Sequence, residues 1–380
     1  MKIGITCYPS VGGSGIIATE LGIQLAERGH EVHFITSNVP FRLNANHPNI
    51  HIHQTDINDY SVFKYPPYDI TLASKISEVI IEYDLELVHM HYAVPHAICG
   101  ILAKQMSGRA VRIVTTLHGT DITVLGHDMS LVNAIRFGIE GSDAVTAVSE
   151  SLNRQTHELI KPDKSIETIY NFVEEEYFNM ADRETIRKRM KERYNIGEDT
   201  KVLMHTSNFR KIKRIDDIVR AFNIVQKNID SILVLIGDGP ETNSIKHLIK
   251  ELGIENSVIL AGHQSDVKSY YMMSDVFLLL SQKESFGLAL LEAMHCGSVP
   301  IGSTAGGISE VIKDGETGYI VDVGDYVSAA ERIMNLLSDD SLFQSMQERM
   351  LLDINLRFHS DVIISEYETL YRNLIGASSK

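Results

Sequence analysis

The sequence predicts an α/β protein built from two doubly wound, Rossmann-like domains in tandem. Three observations carry this expectation. A chain of 380 residues is too long for one small core. Short apolar runs alternate with helical patterns nearly throughout, the rhythm of parallel strands joined by crossover helices. The runs also fall into two sets, parted by a polar, charge-rich stretch at residues 174–200.

The first set occupies residues 3–7, 32–36, 87–91, 112–117 and 144–148, each rich in the aliphatic side chains of a strand buried on both faces. The second occupies 202–206, 232–236, 258–260, 276–280, 299–302 and 318–321. A hinge is expected near 169–173, giving domains at 1–168 and 169–357. Residues 358–374 have helical apolar spacing. The segment 358–380 is therefore expected to be a helix that could cross back onto the first domain.

Composition closes off several classes. Apolar content of 44% and charged content of 22% are those of an ordinary globular protein. Lys and Arg number 35 against 50 Asp and Glu, a net charge of −15, which argues against a general nucleic-acid binder. No apolar run approaches the roughly 18 residues of a membrane span. Cys7, Cys99 and Cys296 are odd in number and widely spaced, so neither a disulfide framework nor a zinc cluster is indicated. A buried strand is expected from the first residues with no signal peptide before it, which predicts a cytoplasmic protein.

Four segments lie where strands end. Residues 9–15 (P-S-V-G-G-S-G) follow the first strand and precede a helix expected over 16–28. Glycines there let a ligand approach the backbone, and a helix N-terminus favours an anion. Gly13, Gly15 and Ala18 fit G-x-G-x-x-A, but residues 34–38 hold none of the acid that a nicotinamide-dinucleotide site wants. A tight strand-to-helix turn accounts for the same glycines. Residues 206–214 (T-S-N-F-R-K-I-K-R) bring four cations together in an acidic protein. They suit a diphosphate, with Arg210 as a bidentate donor and Lys213 as a point charge; a solvated basic turn is the plainer alternative. Gly237 opens G-D-G-P-E at the end of an I-L-V-L-I strand, where a bare turn explains it about as well.

The sharpest segment is E-S-F-G-L-A-L-L-E at 284–292. On one continuous helix its two carboxylates would lie about 80° apart. Glu284 is therefore expected in a loop, with a helix starting near Phe286 or Gly287 and Glu292 two turns into it. Glu284 would then face a sugar, Glu292 would accept from ribose hydroxyls, and the N–H groups of Gly287 and Leu288 would face a phosphate. Among the histidines, His89 and His91 share a strand face, and His47, His51 and His53 cluster upstream. Metal binding is not expected of them, because no carboxylate or cysteine completes a set. His118 lies just past a buried strand and could donate to a ligand hydroxyl; a satisfied loop histidine is the alternative.

Taken together these residues resemble the retaining GT-B glycosyltransferases of family 4. Glu284 and Glu292 with Phe286-Gly287 between them, the Gly12-Gly13 loop, His118, Arg210 with Lys213, and the run from Gly237 to Pro240 are similar in order and spacing over essentially the whole chain. Residues 3–15 are most similar to members that transfer N-acetylglucosamine to L-malate, the first step of bacillithiol biosynthesis. The resemblance implies UDP-GlcNAc held by residues 169–357 and L-malate held by residues 1–168, both as substrates, with no metal or other cofactor.

In that reading Arg210 and Lys213 clamp the diphosphate and Glu292 the ribose. Glu284 and the backbone of Phe286, Gly287 and Leu288 hold the sugar hydroxyls, and His118 touches the donor sugar. Gly13, Ser14, Ser207 and Gly237 complete the donor set. Ser14, Lys64, Tyr92, Thr120 and Arg136 are the candidates for the two malate carboxylates. One departure stands out. Many relatives have G-R-x-x-x-x-K, whereas here Lys213 comes two residues sooner, with Lys211 as the substitute. The resemblance favours retention by attack on the face the leaving group departs from. A family member acting on inositol phosphate or a lipid, and a UDP-sugar sensor without turnover, stay open. The lipid version requires an exposed basic and apolar helix. No nucleic-acid or membrane partner is expected, and a homo-oligomer stays open.

Overall fold

The structure is a computed structural model that describes residues 1–9, 12–40, 43, 47–55 and 67–377. It divides into two compact units, Met1–Asn171 together with the segment from Ser360, and Phe172–His359. The first unit runs β1 (Lys2–Thr6), α1 (Gly13–Glu27), β2 (Glu31–Thr36), β3 (Ile50–Gln54), α2 (Tyr68–Tyr83), β4 (Leu87–His91), α3 (Ile98–Ser107), β5 (Arg112–Leu117), α4 (Met129–Gly141), β6 (Ala144–Ala147), α5 (Glu150–Leu159) and β7 (Glu167–Thr168). The second continues with α6 (Arg183–Arg193), β8 (Lys201–Thr206), α7 (Ile215–Val225), β9 (Ser231–Ile236), α8 (Thr242–Leu252), β10 (Val258–Gly262), α9 (Val267–Met273), β11 (Val276–Leu279), α10 (Leu288–His295), β12 (Val299–Ser303), α11 (Ile308–Val311), β13 (Tyr319–Val321), α12 (Tyr326–Leu337) and α13 (Asp340–Arg357). The chain then returns to the first unit as α14 (Ser360–Gly376).

Among the described residues each unit has one parallel sheet, ordered β3-β2-β1-β4-β5-β6-β7 in the first and β10-β9-β8-β11-β12-β13 in the second. Strand order reverses between β1 and β4, and again between β8 and β11. At such switch points the loops after the strands diverge and leave room for a ligand. The strands are aliphatic because helices cover both faces: Ile3, Ile5, Leu87, Val88, Leu233 and Leu278 are fully buried. Helix starts follow side-chain chemistry, with Asp128 accepting from the Ser130 N–H at α4 and Ser149 from the Leu152 N–H at α5.

Several boundaries differ from expectation. α1 begins at Gly13, three residues earlier than expected, because the Gly12 carbonyl already takes the Ile16 N–H at 3.1 Å. α10 begins at Leu288, so Glu292 lies little more than one turn in, not two. The polar stretch after the first unit contains α6. Two strands were missed. β3 reads I-H-I-H-Q and is only half-buried, and β7 has two residues.

α14 is pinned by charge and by hydroxyls. Arg28 pairs with Asp361 at 2.5 Å and with Glu368 at 3.2 Å, and His30 Nε2 meets Glu368 at 2.6 Å. Tyr371 Oη lies 2.6 Å from His89 Nδ1. Among the described residues no helix is long and apolar enough to cross a membrane.

Candidate active site

In the first unit the loops after β1, β4 and β5 carry most of the expected acceptor residues. Tyr92 directly follows β4 at φ +91, a backbone rarely adopted outside glycine. Its Oη donates to Ser14 Oγ at 2.7 Å and also bonds the Thr120 side chain. Burial raises its phenol above the ordinary value of 10, so it is a neutral donor. The Tyr92 and His118 rings lie 5.3 Å apart. Ser14, Tyr92, His118 and Thr120 thus form one group, with Gly13 beside Ser14 at the start of α1.

Asp121 holds this group from beneath. It is fully buried, accepting from the Gly119 N–H at 2.9 Å and the Ala93 N–H at 3.2 Å, and so ties the β5 loop to the β4 loop. Burial pushes its carboxyl up to about 6. Burial drives the His118 imidazole the other way, down to about 3, so it serves as a neutral hydrogen-bonding ring and not as a charge. Arg136 is engaged elsewhere: its Nε donates to the Ile160 carbonyl at 2.8 Å. Lys64 lies outside the described residues.

In the second unit Lys213 Nζ meets Glu284 Oε2 at 2.6 Å, each side chain 17% exposed. The shortened spacing from Arg210 therefore still delivers a lysine to the first carboxylate of E-x₇-E. Arg210 is exposed, and a cavity of ≈ 340 Å³ opens beside it, lined also by Lys211, Arg214, Glu241 and Gln282. Ser207 Oγ lies 2.8 Å from His205 Nε2, and His205 Nδ1 lies 2.7 Å from the Leu278 carbonyl. The carbonyl can only accept, so His205 donates from Nδ1 and the Ser207 hydroxyl donates to Nε2. That leaves Ser207 only lone pairs for a ligand. Such a group suits a hydroxyl better than a phosphate.

Gly237 directly follows β9 at φ +120, and a Cβ there would stand 1.9 Å from the Ser207 carbonyl oxygen, so only glycine lets these two loops pack. Phe286 is buried against Phe358, with ring centroids 5.7 Å apart. Gly287 precedes α10 in the left-handed region, and Leu288 is its first residue. The opening N–H groups have no partner inside the helix and suit a phosphate oxygen. Glu292 is nearly buried and accepts from Tyr271 Oη at 2.9 Å, which fixes its carboxylate.

Sequence reasoning missed four contributors. Tyr271, Asp121 and His91 act through partners far along the chain. The Gly306-Gly307 doublet lies directly against the Glu284 loop, with the Gly307 N–H donating to the Glu284 carbonyl at 3.1 Å. A doublet of glycines between a strand and a helix was the available signal for it.

The upstream histidines also need correction. Glu31 supplies the carboxylate that seemed lacking: its oxygen and the nitrogens of His33 and His51 lie within 4.8 Å of one another. Both nitrogens of His33 are already engaged, Nδ1 with His53 at 2.9 Å and Nε2 with Glu31 at 3.1 Å. His47 instead accepts from the Asn49 N–H.

Comparison with known proteins shows the family. Residues 11–177 match Glycosyltransferase Family 4, and residues 186–350 match Glycosyl transferases group 1. The chain is 55% identical, over 99% of its length and 97% of the relative's, to N-acetyl-alpha-D-glucosaminyl L-malate synthase of Bacillus anthracis. It is 28% identical, over 74% of its length and 75% of the relative's, to a GDP-mannose-dependent alpha-(1-6)-phosphatidylinositol monomannoside mannosyltransferase of Mycolicibacterium smegmatis. Among solved structures, a glycosyltransferase from Rickettsia africae superposes with a TM-score of 0.83 at 23% identity, covering 98% of each chain. Anabaena HepE in complex with UDP-glucose does so with 0.82 at 19%, covering 97% of this chain and 99% of that one. With two parallel-sheet units, a cation–carboxylate pair at one switch point and a hydroxyl-rich group at the other, the chain belongs to glycosyltransferase family 4 and is a hexosyltransferase of the GT-B fold.

Proposed function

We propose that the enzyme moves N-acetylglucosamine from UDP-GlcNAc to the hydroxyl of L-malate, releases UDP and retains configuration at the anomeric carbon. The observation that carries the sugar and the acceptor is the 55% identity along the whole chain to the Bacillus anthracis synthase. The product is the one expected at the first step of bacillithiol biosynthesis.

On the donor side Arg210 and Lys213 neutralise the diphosphate, and the N–H groups that open α10 add their dipoles. Lys213 spends one of its three N–H bonds on Glu284 and keeps two for phosphate oxygens. Glu284, held by that lysine, takes sugar hydroxyls, and Glu292, held by Tyr271, takes the ribose. On the acceptor side Ser14 accepts from Tyr92 and so has its own proton to give a malate carboxylate. Thr120 adds a second hydroxyl, with Lys64 as a candidate cation and Arg136 as another through the guanidinium N–H groups that the Ile160 carbonyl does not take.

The malate oxygen bonds to the anomeric carbon as the bond to the diphosphate breaks, and the malate proton passes to the departing phosphate oxygen. Attack and departure share one face, which gives retention without a protein nucleophile. Catalysis is then positioning plus stabilisation of the leaving charge. A covalent glycosyl adduct isolated on a carboxylate would overturn this route.

The test is UDP release from UDP-GlcNAc by the purified protein, with and without L-malate, in EDTA. Malate-dependent release with a new α-linked product by NMR is expected. Release that ignores malate, or no release, would overturn the acceptor.

A further inference from the structure

We propose that His91 is a positioning residue: its Nδ1–H donates to His118 Nε2 and locks His118 in the tautomer that offers Nδ1–H to the substrate. The inference rests on the reading of His118 as a substrate-contacting group.

Strand alternation places His89 and His91 on one face of β4, and register pairs His91 with Thr116 of β5, two residues before His118. The three imidazoles stack, with centroids 4.3 Å apart for His89 and His91 and 5.0 Å apart for His91 and His118. The lower end of the stack is anchored. His89 Nε2 meets Thr116 Oγ1 at 2.7 Å, and its Nδ1 meets Tyr371 Oη of α14 at 2.6 Å. His96 Nδ1 donates to the His91 carbonyl at 2.5 Å and fixes that backbone too.

His91 Nδ1 and His118 Nε2 lie 2.8 Å apart, so one of them carries the shared proton. The other nitrogen of His91 decides which. His91 Nε2 is buried and has no partner among the described residues. If the proton sat there, a buried N–H would go without an acceptor, and orphaned donors are rarer than under-used acceptors. The proton therefore sits on Nδ1 and donates to His118 Nε2. His118 must then carry its own proton on Nδ1, since a neutral imidazole has one N–H. Doubly protonated rings are disfavoured as well, because burial holds both histidines below their ordinary value. The site thus presents a donor, suited to a sugar hydroxyl or ring oxygen, where the other tautomer would present an acceptor.

The experiment has two arms. Long-range ¹H–¹⁵N spectra of ¹⁵N-histidine-labelled wild type, assigned by loss of signals in His118→Gln, should show His118 protonated on Nδ1. A proton on Nε2 overturns the proposal. In the second arm, His91→Asn places an amide N–H where Nδ1–H was and should keep kcat within about threefold. His91→Gln reaches instead to the Nε2 position, and His91→Leu offers no donor. Both should lose roughly 10- to 100-fold in kcat, the size seen when an orienting partner of a functional histidine is removed, with the KM for L-malate nearly unchanged. His91 lies in the first unit, so circular dichroism and a melting temperature close to wild type report that each variant is folded. Equal losses in the Asn and Gln variants would make His91 merely structural and overturn the proposal. Full activity in His118→Gln would instead remove the underlying reading of His118, whatever tautomer the spectra show.

Discussion

Replacing Gly306 with alanine tests whether the loop after β12 sets the position of Glu284. Gly306 sits at φ +55, and a Cβ built there stands 1.8 Å from the Glu284 carbonyl oxygen. The left-handed backbone by itself costs an alanine about 1 kcal/mol. The contact costs more, because van der Waals separation begins at roughly 3.5 Å, and one of the two backbones must retreat by more than about 1 Å. A shift of that size in a group that holds substrate typically lowers the rate by about 10²-fold. Gly315 supplies the control. It sits at φ +73 with nothing within 4 Å of its Cβ direction, so Gly315→Ala carries the left-handed cost without the push. Both variants should melt a few degrees lower than wild type. UDP release should show kcat/KM for UDP-GlcNAc falling about 10²-fold in Gly306→Ala and staying near wild type in Gly315→Ala. Matching kinetics in the two would refute the claim that this doublet places Glu284.

Tyr271→Phe removes the hydroxyl that fixes Glu292, so the KM for UDP-GlcNAc should rise several-fold with little change in kcat; an unchanged KM would remove Tyr271 from the site. Lys213→Met and Glu284→Gln should each lower kcat by 10²-fold or more, and the double variant should lose less than the product of the two, as partners in one pair do. Arg210→Lys keeps the charge but not the bidentate fork, so affinity for UDP should fall by about tenfold in calorimetry. Acid should weaken the first unit. His89 and His96 are fully buried, with imidazoles pushed down to about 3 and about 4. Their folded values lie below the unfolded 6.5, so their contribution is complete above pH 6.5 and is lost as pH falls toward those values. Each histidine then contributes about 1.4 kcal/mol of loss per pH unit. Asp121 runs the other way, since its carboxyl is raised and its contribution grows as pH falls through about 6. Urea titrations between pH 6 and 5 should give a slope smaller by one proton in His96→Asn, whose amide can still reach the His91 carbonyl; an unchanged slope would show that His96 is not held neutral.

Local features of the sequence carry the architecture and point to the candidate site. Hydrophobic period, the position of glycines and cations relative to strand ends, and the E-x₇-E spacing are local properties. Eleven strands could be read from them because each is a short aliphatic run that needs no partner to be recognised. β3 could not, because its alternating histidines look polar until β2 is placed beside it, His33 against His51. Arg210, Lys213 and Glu284 were legible for the same local reason: each follows a strand and precedes a helix.

Who holds whom is set by packing between distant parts of the chain. Lys213 finds Glu284 71 residues away, Tyr271 finds Glu292 21 away, and Gly306 lies on the Glu284 backbone. His91 meets His118 27 residues on, and Tyr371 returns from 282 residues away to close the stack. These partnerships depend on which strands lie side by side, in what register, and on which polar atoms burial leaves without water. Each of those is a property of packing across the chain. The tautomer of His118 is the clearest case. No local pattern contains it, because it follows from one buried nitrogen on a neighbouring strand that has no partner among the described residues.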